Sequence, residues 1–286
     1  MIKRYILLAK PGIIIGNLIA VVAGFFLAAH SNEYSILSLI YAMLGSGLVI
    51  GSACVANNIF DSDIDGKMSR TKNRDLVQST ININVAFTYT IFLLIAGSTV
   101  LYFLVNPLAT ILGLLGYIFY VFFYTMWYKR TSIYGTVVGS ISGAIPPIIG
   151  YAAVTNAITL EAVILFLIFT VWQMPHSYAI STFRVKDYIE ANIPVFPAKT
   201  GLLKTQKHIQ YYTLAFCSLI IMLYFVSDLS LGYLILMSVL SVYWARVAYQ
   251  HVDYGNYIPW SKSIFKISLV IVMAMSGLFT FETLIA

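Results

Sequence analysis

Every one of the 17 Lys and Arg residues lies in, or at the edge of, alternate connections between long apolar runs, and no other feature restricts the fold as much. A membrane span needs about 20 mainly apolar residues to cross a hydrocarbon core of about 30 Å. Runs that meet this requirement lie at 12–29, 36–56, 84–105, 108–127, 134–154, 160–180, 209–227, 230–249 and 264–285. Lys3, Arg4 and Lys10 stand before the first run or at its start. Lys67, Arg70, Lys72 and Arg74 follow the second, and Lys129 and Arg130 the fourth. Arg184, Lys186, Lys199, Lys204 and Lys207 follow the sixth, and Arg246, Lys262 and Lys266 flank the connection after the eighth. The opposite connections, 30–35, 106–107, 155–159 and 228–229, contain no Lys or Arg. Basic residues are retained on the cytoplasmic side. The pattern therefore predicts an all-α polytopic membrane protein with about nine transmembrane helices. The N-terminus and both long connections, 57–83 and 181–208, are expected in the cytoplasm and the C-terminus outside.

Composition agrees. The chain is 60% hydrophobic and 10% charged, whereas soluble domains are about 25% charged, so soluble enzymes and nucleic-acid-binding modules are excluded. The basic start resembles a secretion signal. The apolar run from Ile13 to Ala29 is long enough to be a first span, and many others follow, so it is expected to be retained. No linker or low-complexity tract divides the chain, which predicts a single domain over 1–286. Cys54 and Cys217 lie in separate apolar runs and read as small packing residues, without disulfide or metal spacing. Glu33, Glu161, Asp228 and Glu282 fall at the outer face and are expected to be solvated. His30, His208 and His251 lie near loop ends and read as surface residues.

Chemistry is concentrated between Asn57 and Arg74, N-N-I-F-D-S-D-I-D-G-K-M-S-R-T-K-N-R. Asn57, Asp61 and Asp65 are spaced i, i+4, i+8, with Asn58 three before Asp61. If the preceding helix continues through them, all four side chains lie along one face. Carboxylates that close repel unless a cation lies between them. Hard oxygen donors select Mg²⁺ or Ca²⁺, and Mg²⁺ commonly binds through a few carboxylates together with substrate phosphates. Arg70, Lys72 and Arg74 would suit those phosphates. From spacing alone, a solvated charged loop between two spans fits equally well.

A second polar cluster ends the sixth run, where W-Q-M-P-H-S-Y-A-I-S-T-F-R-V-K-D-Y-I-E carries Gln173, His176, Arg184, Lys186, Asp187 and Glu190. Pro175 is expected to disturb the helix just before His176. Ionisable groups near membrane depth are costly and usually functional. His176 reads as a packing histidine, a proton acceptor or an axial haem ligand. Gly139, Gly143, Pro146, Pro147 and Gly150 crowd the fifth run, either for close helix packing or for a substrate cavity. Some of the 21 Tyr and 18 Phe residues could line a cation-stabilising pocket.

The pattern N-x-x-x-D-x-x-x-D at Asn57, Asp61 and Asp65 resembles the UbiA-type intramembrane aromatic prenyltransferase superfamily. K-P-G-I at 10–13, R-T-K-N-R-D-L at 70–76 and Y-G-T-V-V-G-S-I-S-G-A-I-P-P-I-I-G-Y at 134–151 narrow the resemblance. So do W-Q-M-P-H-S-Y-A at 172–179, F-R-V-K-D-Y at 183–188 and N-I-P-V-F-P at 192–197. Together they resemble the protoheme IX farnesyltransferase (haem O synthase) family, from Lys10 to about Pro197. Asp75 stands where that family's pattern has Pro. His176 and Arg184 stand where the superfamily has the acidic residues of a second motif, while Asp187 is retained.

The resemblance implies farnesyl transfer from farnesyl diphosphate to a vinyl group of haem b, with water added. It implies Mg²⁺ on Asn57, Asn58, Asp61 and Asp65, with Asp187 as a further ligand. It also implies diphosphate contacts from Arg70, Lys72, Arg74 and Lys186, and haem contacts from His176 and Arg184. The expected setting is the bacterial cytoplasmic (inner) membrane, among lipid, with farnesyl diphosphate and haem b as partners and assembly with a terminal oxidase left open. A prenyltransferase acting on 4-hydroxybenzoate and a non-catalytic haem or small-molecule transporter are the competing classes. Transporter sites lie near the membrane midplane, whereas both clusters here lie at one face.

Overall fold

The computed structural model describes residues 2–253 and 255–285. Among these, nine helices are long and apolar enough to cross a membrane, and no strand occurs. They are α1 (Pro11–Ala29), α2 (Ile36–Phe60), α3 (Ile83–Leu104), α4 (Pro107–Thr131), α5 (Gly135–Thr155), α6 (Leu160–Phe183), α7 (Leu202–Val226), α8 (Leu231–Ala248) and α9 (Tyr257–Ile285). All nine runs read from the sequence are present. α7 and α9 begin seven residues earlier than expected, because Lys204, Lys207 and Lys262 interrupt the apolar run without interrupting the helix. α2 runs on through Asn57 and Asn58 to Phe60.

The bundle closes on itself. α1 packs on α2, α5 and α9, α2 on α3, α6 on α7 and α9, and α8 bridges α7 and α9. Lipid tails are as apolar as the side chains, so close fit holds such helices together. The α1–α5 crossing shows this most clearly. A Cβ at Gly24 would stand 1.7 Å from the Pro147 carbonyl oxygen, and one at Gly150 would stand 2.0 Å from that of Val21. Gly150 of the fifth run therefore serves packing. Asn106, at the start of α4, donates to the Ala152 carbonyl at 2.7 Å and ties α4 to α5.

Several helices depart from regularity. α4 widens into a π-helical stretch over Phe119–Tyr128. α5 breaks at Ala144, where Gly143 ends one segment and Ile145 starts the next, followed by Pro146 and Pro147. α6 continues through Pro175 to Phe183, so the expected disturbance there does not end the helix. Proline removes an N–H from the ladder and crowds the carbonyl four residues back, but inside a membrane bundle neighbouring groups can satisfy the freed backbone.

At the end of the bundle that carries few charges, two acids expected in water are not. Glu282 is buried and accepts hydrogen bonds from the backbone N–H and hydroxyl of Ser230, at the start of α8. The free N–H groups at a helix start need such an acceptor. Half-buried Glu161 accepts from the Tyr151 hydroxyl at 2.6 Å. His208 is not a surface residue either. It is half-buried, with its ring 4.4 Å from that of Phe196.

Candidate active site

The aspartate motif is buried. Asn57, Asn58, Asp61 and Asp65 retain 5%, 4%, 1% and 2% exposure, so the stretch is not a solvated loop at these positions. The helix does not continue unbroken through them: α2 ends at Phe60, and a separate turn, Ser62–Asp65, follows. Two backbone bonds bridge the break, Asp61 N–H to Asn57 C=O at 2.9 Å and Asp65 N–H to Asp61 C=O at 2.8 Å. The helical stagger of the three side chains therefore survives.

Cationic side chains from other elements reach into this acidic set. Lys129, at the end of α4, donates to Oδ2 of Asp61, which also accepts from Asn57 Nδ2 at 2.7 Å. Arg74 donates to Asp65 Oδ2 and, at 3.0 Å, to Asn58 Oδ1. Lys10, just before α1, donates to Asn57 Oδ1. Burial pushes the Lys10 ammonium down to about 8, assisted by the neighbouring Arg74 and Lys129 charges. Arg130 forms a fork with exposed Asp63 at 2.7 and 2.8 Å, which holds that carboxyl at about 2. Asp61 Oδ1 is buried without a hydrogen-bond partner, with the Arg130 guanidinium 3.6 Å away.

The two polar connections meet. Ser69, in the first, donates to Asp187 Oδ1, in the second, at 2.8 Å. Tyr188 follows, and burial raises its hydroxyl above the ordinary tyrosine range. A cavity of about 160 Å³ beside them is lined by Tyr124 and Lys129 of α4, Thr136 of α5, Ser177 and Ser181 of α6, and Tyr188. The Tyr120 and Tyr124 rings lie 5.6 Å apart on α4.

The remaining expected residues are placed differently. Arg70, Lys72 and Lys186 are exposed at the rim. Arg184 is exposed, 4.0 Å from Asp187 and 5.7 Å over the Phe183 ring. His176 faces α9: Nδ1 lies 2.8 Å from the Ser268 hydroxyl, and its ring packs between those of Trp172 and Phe265 at 4.7 and 4.9 Å. Among the described residues, no three His, Cys, Asp or Glu side chains gather closely enough to chelate an ion unaided. Lys10 and Lys129 were not among the expected site residues. Their signal in the sequence was position, since both stand at the charged ends of spans on the same side as the motif.

A buried pair of aspartates thus lies at the charged end of the bundle, paired with Lys129 and Arg74. The sequence matches the model of the UbiA prenyltransferase family over residues 17–270. The chain belongs to the UbiA prenyltransferase family.

Within that family it is 55% identical over 282 residues to protoheme IX farnesyltransferase 1 of Vibrio campbellii, covering 99% of this chain and 97% of the relative. It is 54% identical over 284 residues to the protoheme IX farnesyltransferase of Aliivibrio salmonicida, covering 99% and 98%. Its fold is similar to that of a digeranylgeranylglyceryl phosphate synthase, with a TM-score of 0.79 at 20% identity over 98% of this chain and 99% of the other. It is also similar to a UbiA homologue of Archaeoglobus fulgidus bound to GPP and Mg²⁺, with a TM-score of 0.69 at 13% identity over 96% and 99%. The chain is thus an integral membrane prenyltransferase of this family.

Proposed function

We propose that this enzyme transfers the farnesyl group of farnesyl diphosphate to a vinyl group of haem b, with addition of water, releasing haem O and diphosphate. The observation that carries the reading is the buried Asn57–Asn58–Asp61–Asp65 set with Lys10, Arg74 and Lys129 bonded to it. The acceptor follows from relatives 53–55% identical over nearly the whole chain, which are named protoheme IX farnesyltransferases.

The donor set suits a hard divalent cation. Asp61 Oδ1 is a buried carboxylate oxygen with no hydrogen bond, and Asn57, Asn58 and Asp65 add neutral and anionic oxygens beside it. With few carboxylates available, the substrate's phosphate oxygens would complete the shell, as Mg²⁺ commonly requires. When bound, Mg²⁺ supplies Lewis-acid stabilisation of the leaving diphosphate. Asp187, hydrogen-bonded to Ser69 across the mouth, would serve a second ion or hold the two connections together.

The protein's own groups account for the rest. Arg74 and Lys129 now neutralise Asp65 and Asp61, Lys10 donates to the Asn57 amide oxygen, and each of the three cations can turn to a phosphate oxygen when the anion arrives. Arg70, Lys72 and Lys186, exposed at the rim, steer the anion inward. Fixed positive charge aimed where negative charge develops is the largest lever available to such a reaction. The Tyr120 and Tyr124 ring faces suit the allyl cation left as the C–O bond breaks. Arg184, exposed at the membrane edge, suits a haem propionate, and His176 suits a wall of the acceptor site. The charged end is cytoplasmic by the Lys and Arg distribution, in the bacterial inner membrane.

Mass spectrometry of haems from cells with and without this protein tests the reading. Haem bearing one farnesyl group and one water is expected only with the protein; its absence removes the proposal.

A further inference from the structure

One polar side chain deep in α6 has no task in the account above. Gln173 Oε1 is buried without a hydrogen-bond partner, and so is Thr170 Oγ1, three residues earlier on the same helix. Leaving a buried acceptor unpaired costs about 1–3 kcal/mol, and such a group in a folded protein commonly marks a water or ligand. Gln173 lies one helical turn before Ser177, which lines the cavity that Lys129, the partner of Asp61, also lines. Its amide lies against α5 at the Gly143 break, where a Cβ would stand 2.0 Å from Oε1. One turn nearer the mouth, Gly139 opens similar room for the Tyr124 ring, 3.2 Å from where its Cβ would be. The α5–α6 seam thus runs from Lys129 and Tyr124, past Thr136 and Ser177, to Gln173. The cavity of about 160 Å³ reaches α6 at Ser177, one turn from Gln173, and is roomy enough to admit water to that end of the seam. His176, three residues on and about 60° around the helix, is already engaged by α9, bonded to Ser268 and packed between the rings of Trp172 and Phe265.

We infer that Gln173 holds the water molecule that ends the reaction, at the inner end of the α5–α6 seam. The inference rests on the haem-farnesylating reading of the site. In that reaction the vinyl carbon forms a bond to the farnesyl carbon as the C–O bond to diphosphate breaks, leaving a cation on the carbon beside the porphyrin. A lone pair of the water forms the new C–O bond, and the released proton goes to the departing diphosphate. Without a placed water, the same cation loses a proton from its neighbouring carbon and becomes an alkene. That product is lighter by one water. Gln173 Oε1 accepts a hydrogen bond from the water and so turns a lone pair outward, toward the cation.

The test uses the full-length protein in lipid nanodiscs with farnesyl diphosphate, haem b and Mg²⁺, with haem products separated by mass. The wild type is expected to give the hydrated adduct. Gln173→Leu, close in volume, is expected to raise the ratio of anhydrous to hydrated adduct at least tenfold, and Gln173→Glu, which keeps an acceptor, to restore the wild-type ratio. A wild-type ratio from Gln173→Leu overturns the inference. Should Gln173→Leu give no adduct, Gln173→Glu decides: hydrated adduct supports the inference, and an equally inactive Glu variant overturns it. A wild type that farnesylates no haem overturns the reading of the site itself.

Discussion

Lys129 donates to the buried carboxylate of Asp61 across 68 residues of sequence, joining the charged end of α4 to that of α2. Lys129 is itself mostly covered, at 14% exposure of its side chain. Removing one partner of a buried pair leaves the other charge uncompensated and costs about 3–5 kcal/mol. Lys129→Met is therefore expected to lower the melting temperature of the ligand-free protein. Mg²⁺ with a non-hydrolysable farnesyl diphosphate analogue should recover more of that loss than it adds to the wild type. Thermal unfolding in detergent, with and without the pair of ligands, measures both quantities. Equal ligand-induced shifts in the two proteins would mean that the ligand does not replace Lys129 as the partner of Asp61.

Asp61→Asn and Asp65→Asn keep shape and remove charge. Each should lower kcat by about 100-fold or more, the scale seen when one preorganised electrostatic group is lost. Both variants should remain folded, because Lys129 and Arg74 lose a partner but lie closer to solvent than the aspartates do. Steady-state kinetics with a folding control on each variant checks this.

Chelation of divalent ions should stop turnover without unfolding the protein, since the aspartates are already neutralised by Lys129 and Arg74. Activity should return on adding Mg²⁺. Turnover that persists in excess chelator would remove the metal from the site.

The α1–α5 crossing should be intolerant of a single methyl group. Gly24→Ala and Gly150→Ala place Cβ atoms within 2.0 Å of backbone oxygens, which no rotamer change can relieve. Overpacking of this kind costs about 1–3 kcal/mol where side chains can adjust, and more is expected here. Gly12→Ala and Gly16→Ala meet nothing within 4 Å and serve as controls. Yield and melting temperature in detergent distinguish the two pairs.

The spans were legible because hydropathy and the one-sided placement of Lys and Arg are both strong signals in an oily chain. Their ends were less so. Lys204 and Lys262 read as stops, yet a helix can carry lysines beyond the apolar core. The motif at Asn57–Asp65 was legible as spacing, but its burial was not, since that depends on Lys10 and Lys129 arriving from elsewhere in the chain. Glu282 looked like a solvated outer acid because nothing local in the sequence reveals that it faces the start of α8, 52 residues away. His176 was legible as a polar group at membrane depth, whereas the helix face it occupies emerged only from the packing of α9.

The widened turns of Phe119–Tyr128 end at the residue before Lys129. An ordinary α-helix turns about 100° per residue, so a one-residue deletion that tightened this stretch would swing Lys129 and Arg130 well around the helix axis. Ten residues that could pass for oily filler thus act as an angular adjustment, aiming Lys129 at Asp61 and Arg130 at Asp63, just past the end of α2. Length, as much as side-chain identity, is what this segment must preserve.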